Sequence, residues 1–429
     1  MTAIIGVLNR SAVAIAADSA VSIDSGGKFK AYNHANKIFN LSSNHAIAIL
    51  IYNSASLLGI PWETIIKSYR KKEKSFNSVK AYRADFINFV KSFEKKYHKD
   101  GSFNTLNQIA WGVIDVAEKE YMRQLEYEEE KLNELPSDKI IIAQNDIFKQ
   151  VIKSNIKAAK NLPSIQIKES IVKNEINSNK TDIDNLFEKF CIHHQLETKQ
   201  HIEAFYKLIY MAAVKEVFLE SHTGLAFCGF GDDEIFPSCY RATIGGFVGE
   251  IRYSVDNYPA IIENSNTSSI VPLAQTDIMS TFIEGIDPSS KENLPNIIRE
   301  ALAKFKDVVV KSIDNSSENE KKLGNVLEKS IDDIVQILSE DLEKIRRDSH
   351  VQPMLDTISF LSKEDLAELA ESLINLTYLK RRVTFDEESV GGPVDVAVIT
   401  KGDGFIWIKR KHYFEPELNL QYIANVIKS

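Results

Sequence analysis

Two six-residue runs near the start of the chain, Ala3–Leu8 and Ala12–Ala17, contain no polar side chain at all. Such runs cannot lie half in water, so they predict strands covered on both faces. Asn9-Arg10-Ser11 between them is a tight hairpin signal. A second pair follows at Lys37–Leu41 and Ala46–Tyr52, turned by Ser42-Ser43-Asn44. Covering two such pairs takes a large core, and 429 residues at 44% hydrophobic content can build one without disulfides or a structural metal.

Helices are predicted over Trp62–Lys71 and Ser78–Tyr97. The second carries Phe86, Val90, Phe93 and Tyr97 at helical spacing on one face. From about Gly101 to His222 the chain is rich in Glu, Lys and Asn and reads as helical, with breaks at Pro136, at Pro163 and in the polar NSNKTD from Asn177. Strand signals return at Leu225–Gly229, Cys239–Ile244 and Val248–Val255. Helices run from Asp277 to about Leu379. A closing hairpin joins Val394–Thr400 to Phe405–Lys409 through Lys401-Gly402-Asp403-Gly404. The first and last strands need partners, so this order predicts an α+β fold with one sandwich of sheets. Its domain takes in residues 1–100 and 223–429, and 101–222 is a helical insertion.

Several classes of function are excluded or disfavoured. With 52 basic against 60 acidic residues, net charge −8, no positive field favours a phosphate backbone, so no nucleic-acid partner is expected. No run reaches the roughly 18 apolar residues of a membrane span. The apolar start is interrupted by Arg10 and Asp18 and lacks a cationic leader, so it reads as part of the folded protein. Cys191, Cys228 and Cys239 make no disulfide framework and suit a reducing cytoplasm. Cys191, His193, His194 and His201 resemble metal-ligand spacing, but adjacent histidines on a helix point about 100° apart, which argues for a solvated face. Gly229-Phe230-Gly231 is too short for a dinucleotide fingerprint. Glu128–Glu130 and Asp232–Glu234 read as solvent-facing acids, and Lys401–Lys411 as a strand with mixed faces.

Thr2 follows Met1 directly. Removal of Met1 before so small a residue is expected, and it leaves a hydroxyl and an α-amine on one residue. That amine titrates near ~8, so it can take a proton at neutral pH. Threonine activated by its own amine is an established nucleophile and base pairing. A nearby lysine would lower the amine's pKa, and an aspartate would anchor the lysine. The first hairpin places Asp18 at the sheet edge that carries Thr2, and Lys37 opens the next strand, so the three can converge.

Thr2, Ala16-Ala17-Asp18 and Lys37-Ile38-Phe39, with 16 positions from Thr2 to Asp18, resemble the N-terminal nucleophile (Ntn) hydrolases of the proteasome β-subunit and bacterial HslV type. The interval to Lys37 is about three residues longer than theirs, in a loop. Leu225–Gly231 with Phe236–Gly246 resembles the family's middle hairpin. Gln275-Thr276-Asp277 stands where the family carries Ser-Gly-Ser. Glu387–Gly392 resembles its closing Asp-x-x-Ser-Gly-Gly: aligned on the glycines, Glu387 replaces the aspartate and Val390 the serine, whereas Asp386 and Ser389 keep the spacing one position earlier. The oxyanion glycine is replaced by Ile51-Tyr52-Asn53-Ser54, where a backbone N–H of Asn53 or Ser54 is the substitute.

The resemblance implies a four-layer αββα Ntn-hydrolase sandwich. It implies Thr2, Asp18 and Lys37 as the catalytic set, with Asn53, Ser54, Gln275, Thr276, Asp277, Asp386, Glu387 and Ser389 in supporting or oxyanion roles. The function implied is a threonine-type hydrolase of amide bonds, a peptidase or amidase, needing no metal or organic cofactor and acting on peptide or protein. The alternative is an inactive scaffold of the same fold that binds a partner. Relatives assemble into rings, so a homo-oligomer is expected; no partner ATPase can be read from the chain.

Overall fold

The computed structural model describes residues 2–25, 28–42, 44–92, 94–219, 221–311, 317–384, 391–412 and 414–421. Strands β1 (Ile4–Asn9) and β2 (Ala12–Ala17) open the chain. Their turn closes because Asn9 Oδ1 accepts from the Ser11 and Ala12 amides, a side-chain mimic of a backbone turn. A ribbon of β3 (Val21–Ser25) and β4 (Lys28–Tyr32) follows, then β5 (Ile38–Asn40), β6 (Ile47–Asn53) and the short pair β7 (Ser56–Leu57) and β8 (Ile60–Pro61). Helices α1 (Trp62–Arg70) and α2 (Val79–Lys91) come next. The sequence predicts one helix to Tyr97, but α2 ends at Ser92, whose hydroxyl donates to the Phe89 carbonyl and competes with the helical ladder. A new helix, α3 (Glu94–Tyr127), starts ahead of Gly101.

The helical stretch continues through α4 (Glu129–Asn133), α5 (Ser137–Asn161), α6 (Glu169–Ser178), α7 (Lys180–His193) and α8 (Thr198–Val214). Pro136 and Pro163 flank α5, where a missing N–H ends or starts a helix at least cost. These helices share a core of their own, including Ile109, Phe148, Phe187, Phe205 and Ile209, into which Val248 projects from the sheet that follows. That sheet's later strands are β9 (Thr223–Gly229), β10 (Ser238–Val248), β11 (Glu250–Val255) and the two-residue β12 (Ala260–Ile261). The chain goes on through β13 (Ser268–Ala274), α9 (Thr276–Glu284), α10 (Pro288–Lys311), α11 (Ser317–Arg346), α12 (Gln352–Ile358) and α13 (Lys363–Val383). It closes with β14 (Asp395–Thr400) and β15 (Gly404–Lys409).

The fold is α+β, built on two antiparallel sheets. One runs β13-β1-β2-β14-β15 and the other β11-β10-β9-β6-β5. Strand periodicity sorts the side chains cleanly. Ile4, Leu8, Val13 and Ile15 of the first sheet pack with Ala48, Leu50, Ala226 and Cys228 of the second. The alternate residues Ile5, Val7, Ala14 and Ala16 pack on Leu366, Ala370 and Leu373 of α13. On the second sheet, Ile47, Ile49, Leu225 and Phe227 turn outward onto Trp62, Ile66 and Phe86 of α1 and α2. Both faces of the inner strands β1, β2, β6, β9 and β14 are thus covered, which is why they carry no polar alternation.

Several strands lie outside the sequence expectation. The β3–β4 ribbon falls where a loop is expected, β7, β8 and β12 are short additions, and β13 falls between the last predicted strand and α9. Pro272 masks β13 as a strand; it is tolerated because β13 is an edge. Of the Asp232–Glu234 acids, Asp232 and Asp233 face solvent as expected, but Glu234 is half-buried, accepts from the Val79 and Gly231 amides and so holds the start of α2. No helix among the described residues is long and apolar enough to cross a membrane.

Candidate active site

Thr2 sits two residues before β1 and is buried. The hairpin register pairs Ile4 with Ala17, and the ladder runs one step further. Asp18 N–H donates to the Ala3 carbonyl at 3.1 Å, and Ala3 N–H donates to Asp18 Oδ1 at 2.9 Å. A carboxylate therefore fastens the backbone of the residue next to Thr2. The same Oδ1 accepts from Lys37 Nζ at 2.7 Å, and that ammonium also donates to the Ala20 carbonyl at 2.6 Å. Asp18 Oδ2 accepts from the Ala20 and Gly391 amides, each at 3.2 Å. Lys37 is fixed in turn by β6, because its carbonyl accepts from Ile51 N–H at 2.9 Å. Asp18 and Lys37 thus meet each other, and Asp18 the Ala3 backbone next to Thr2, at the open end of the first hairpin.

Electrostatics at this corner are those of a closed site. Asp18 is 1% exposed and Lys37 3%. Burial pushes the Lys37 ammonium below the usual lysine range, and the Asp18 carboxylate pulls in the opposite direction. A second buried pair stands close enough to act on Lys37. It joins Lys411 Nζ to Asp395, whose strand position lies opposite Ala17. Asp395 also accepts from the Lys411 amide at 2.8 Å. Within the Lys401–Lys411 tract only the Lys411 side chain is turned inward; Lys401, Lys409 and Arg410 are exposed, on a strand of mixed faces. Lys401 Nζ reaches the Gly231 and Asp232 carbonyls, and Lys409 pairs with Glu371.

The remaining expected residues are distributed unevenly. Ala274 of β13 pairs with Ile4, so Gln275, Thr276 and Asp277 follow at the end of β1 that carries Thr2. Gln275 adopts a left-handed backbone at φ 48°, turning the chain into α9. Asp277 does not stay beside the strand; its carboxylate pairs with Arg381 of α13 at 2.8 Å. Asn53 ends β6 with φ 67°, and its Nδ2 lies 3.0 Å from His222 Nε2. Ser54 N–H donates to the His222 carbonyl at 3.0 Å, so that amide is already engaged. Asp386, Glu387 and Ser389 lie outside the described residues. Gly391, just beyond them, docks on both sides of the site, since its amide meets Asp18 and its carbonyl accepts from Ser19 N–H at 3.1 Å.

The histidine group is not the solvated face expected: only His193 is exposed, His194 meets Glu118, His201 of α8 is buried against Asn145, and Cys191 is buried with its thiol pushed up to about 11. Among the described residues no group of three His, Cys, Asp or Glu side chains could hold a metal ion. The chain matches no protein-family model and no curated protein. The site therefore stands on its geometry alone.

Gly391 and the Lys411–Asp395 pair are the parts of the corner that sequence reading does not assign a role. Gly391 belongs to a recognisable Gly-Gly, which signals a close approach of backbone but not its partner. Lys411 and Asp395 are separated by a hairpin, and only the register of β14 beside β2 brings Asp395 to this end of the sheet.

Proposed function

We propose that this chain is an N-terminal-threonine hydrolase of the proteasome β-subunit and HslV type, cleaving amide bonds and most directly those of peptides. The observation that carries the reading is the Asp18 carboxylate, which bonds at once to Lys37 Nζ and to the amide of Ala3, beside Thr2. A four-layer αββα sandwich of the Ntn type is the fold this implies. It is supported by one core between the sheets and one on each outer face against helices.

The chemistry requires Thr2 to become the first residue. Its α-amine takes the proton from Oγ as Oγ attacks the substrate carbonyl carbon. The resulting tetrahedral oxyanion is met by main-chain N–H groups, of which Asn53 is the remaining one of the two expected. The protonated amine gives its proton to the departing nitrogen, and the C–N bond breaks, leaving an ester on Thr2. Water, deprotonated by the amine, then releases the acid product. The Lys37 charge keeps the amine's pKa low enough for it to be neutral, and Asp18 holds Lys37 in place. No metal or organic cofactor enters this scheme. A cytoplasmic setting suits the three free cysteines, two of which, Cys228 and Cys239, face each other unbridged across β9 and β10.

The engaged Ser54 amide favours a second reading, the same fold as a non-catalytic scaffold whose helical insertion binds a partner. Hydrolysis that depends on a free Thr2 amine separates the two. Intact-mass measurement of purified protein is expected to find the chain starting at Thr2, and an uncleavable N-terminal extension is expected to abolish hydrolysis. Full activity with a blocked N-terminus would overturn the mechanism.

A further inference from the structure

A polar pocket of about 260 Å³ opens on the second sheet, starting at Tyr52, the residue before Asn53. Strand register builds its floor. Tyr52 of β6, Gly224 of β9, Thr243 of β10 and Ser254 of β11 pair in one row across four strands, so their positions share a face. Gly224 is required in that row, because a Cβ there would come within 2.0 Å of the Tyr52 ring lying over it. Arg241 stands two residues back along β10 and Asp256 two residues past Ser254, on the same face, and both line the pocket. Glu216, just beyond α8, lines it as well. Its backbone N–H donates to the Pro163 carbonyl at 2.9 Å, which fixes that part of the wall. The volume falls below the ~300–1,000 Å³ of pockets for drug-sized ligands, so the space suits a small polar molecule.

The charges around this pocket are only partly paired. Asp256 is shared: one carboxylate oxygen accepts from Arg83 Nη1 at 2.6 Å, and the other from Arg241 Nε at 3.4 Å. One carboxylate between two guanidiniums leaves an excess positive charge, and the Arg241 bond is long for a charge-assisted one. The two terminal NH2 groups of Arg241 make no hydrogen bond among the described residues, and its side chain is 40% exposed. The Glu216 carboxylate likewise takes no donor among the described residues. Two opposite charges that face one small pocket without pairing leave room for a ligand carrying both. A simple anion would be opposed by Glu216, and a simple cation by the excess positive charge at Arg241. We propose that this pocket binds the zwitterion of a free α-amino acid. Its carboxylate meets the terminal NH2 groups of Arg241, whose planar fork matches a carboxylate. Its ammonium meets Glu216, and its side chain lies among the Tyr52, Thr243 and Ser254 hydroxyls. Binding there requires no chemistry at Thr2.

Calorimetric titration of the full chain with each standard L-α-amino acid in turn tests the proposal. At least one is expected to bind with a dissociation constant on the order of 1 mM or tighter. For that amino acid, N-acetylation of the amine and conversion of the carboxylate to a carboxamide are each expected to weaken binding by about tenfold or more. Those comparisons leave the protein unaltered, so folding does not enter them. Arg241→Gln and Glu216→Gln assign the two ends. Arg241→Gln is expected to bind the free acid and its carboxamide alike, and Glu216→Gln to bind the free and acetylated amines alike. Neither variant is expected to move the melting temperature much, since Asp256 keeps Arg83 and Glu216 has no partner to lose. Absence of binding by every amino acid at about 10 mM would overturn the proposal. So would capped forms that bind as tightly as the free amino acid, or binding that neither variant alters.

Discussion

Asp18 accepts from the Ala3, Ala20 and Gly391 amides and from Lys37, so the two members of the ion pair are unequally supported. An exposed pair at a strand end would contribute a kcal/mol or less. This one is buried, and removing one partner leaves the other charge in a poor solvent. Asp18→Ala strands the Lys37 ammonium and is expected to cost about 3–5 kcal/mol. Lys37→Met leaves Asp18 with its three amides and is expected to cost clearly less, about 1–2 kcal/mol. Urea denaturation measures both, and the reverse order would contradict the assigned bonding. The depressed Lys37 pKa adds a pH signature. Below the folded value Lys37 is charged in both states and the burial penalty is complete. Between that value and the unfolded ~10.4, the unfolded chain holds more protons, so stability rises with pH. Wild type is therefore expected to gain on Lys37→Met as pH climbs through that alkaline window. That Asp18 lies beside the Thr2 end of the first hairpin was legible in the sequence because a tight hairpin fixes which residues share its open end. Gly391 was not, because its contact with Asp18 spans 373 positions and depends on the tertiary fold.

Among elements, the strands that read most plainly are those with both faces covered, because burial removes every polar position. The edge strand β13 escaped the same test: it is half-solvated, carries Pro272, and takes its pairing from β1 rather than from its own pattern. The boundary between sheet and helical stretch was likewise hidden. It is held by Arg252 of β11, fully buried, whose guanidinium donates to the Ala212 and Ala213 carbonyls of α8 and to Val217 beyond it. Burial lowers that guanidinium's pKa to about 9, so it remains charged at neutral pH. A cation at a helix C-terminus meets both orphan carbonyls and the negative end of the dipole. Arg252→Met is expected to destabilise the protein by about 3 kcal/mol or more, since several buried acceptors lose a charged donor. Hydrogen exchange is expected to show the last turn of α8 opening first; unchanged protection there would remove Arg252 as the anchor.

For the whole molecule, the order of strands, helices, long helical stretch, strands, helices and strands was readable because first and last strands need each other. The structure pairs them directly, with β14 beside β2. What the pattern of apolar residues could not say is which stripes meet the body and which face outward. The α10–α11 pair is the case in point, with Ile331 and Val335 buried while Phe305 and Ile337 are exposed. Gathering three sequence-distant segments at one corner is what the chain's length accomplishes. The catalytic reading of that corner makes Lys37 indispensable, and its loss is expected to lower turnover by a factor on the order of 10² to 10⁴, with no rescue by Lys37→Arg. Asp18→Asn is expected to act in the same direction and, combined with Lys37→Met, to fall far short of additivity. The most direct measurement is covalent labelling by a β-lactone or epoxyketone, read by intact mass and peptide mapping on chain that begins at Thr2, with Lys37→Met compared at equal folded fraction. One adduct on Thr2 in wild type, lost or slowed at least a hundredfold in Lys37→Met, is the expected result. No adduct on correctly processed wild type, or equal labelling of the two, would contradict the assignment of Thr2 as an activated nucleophile.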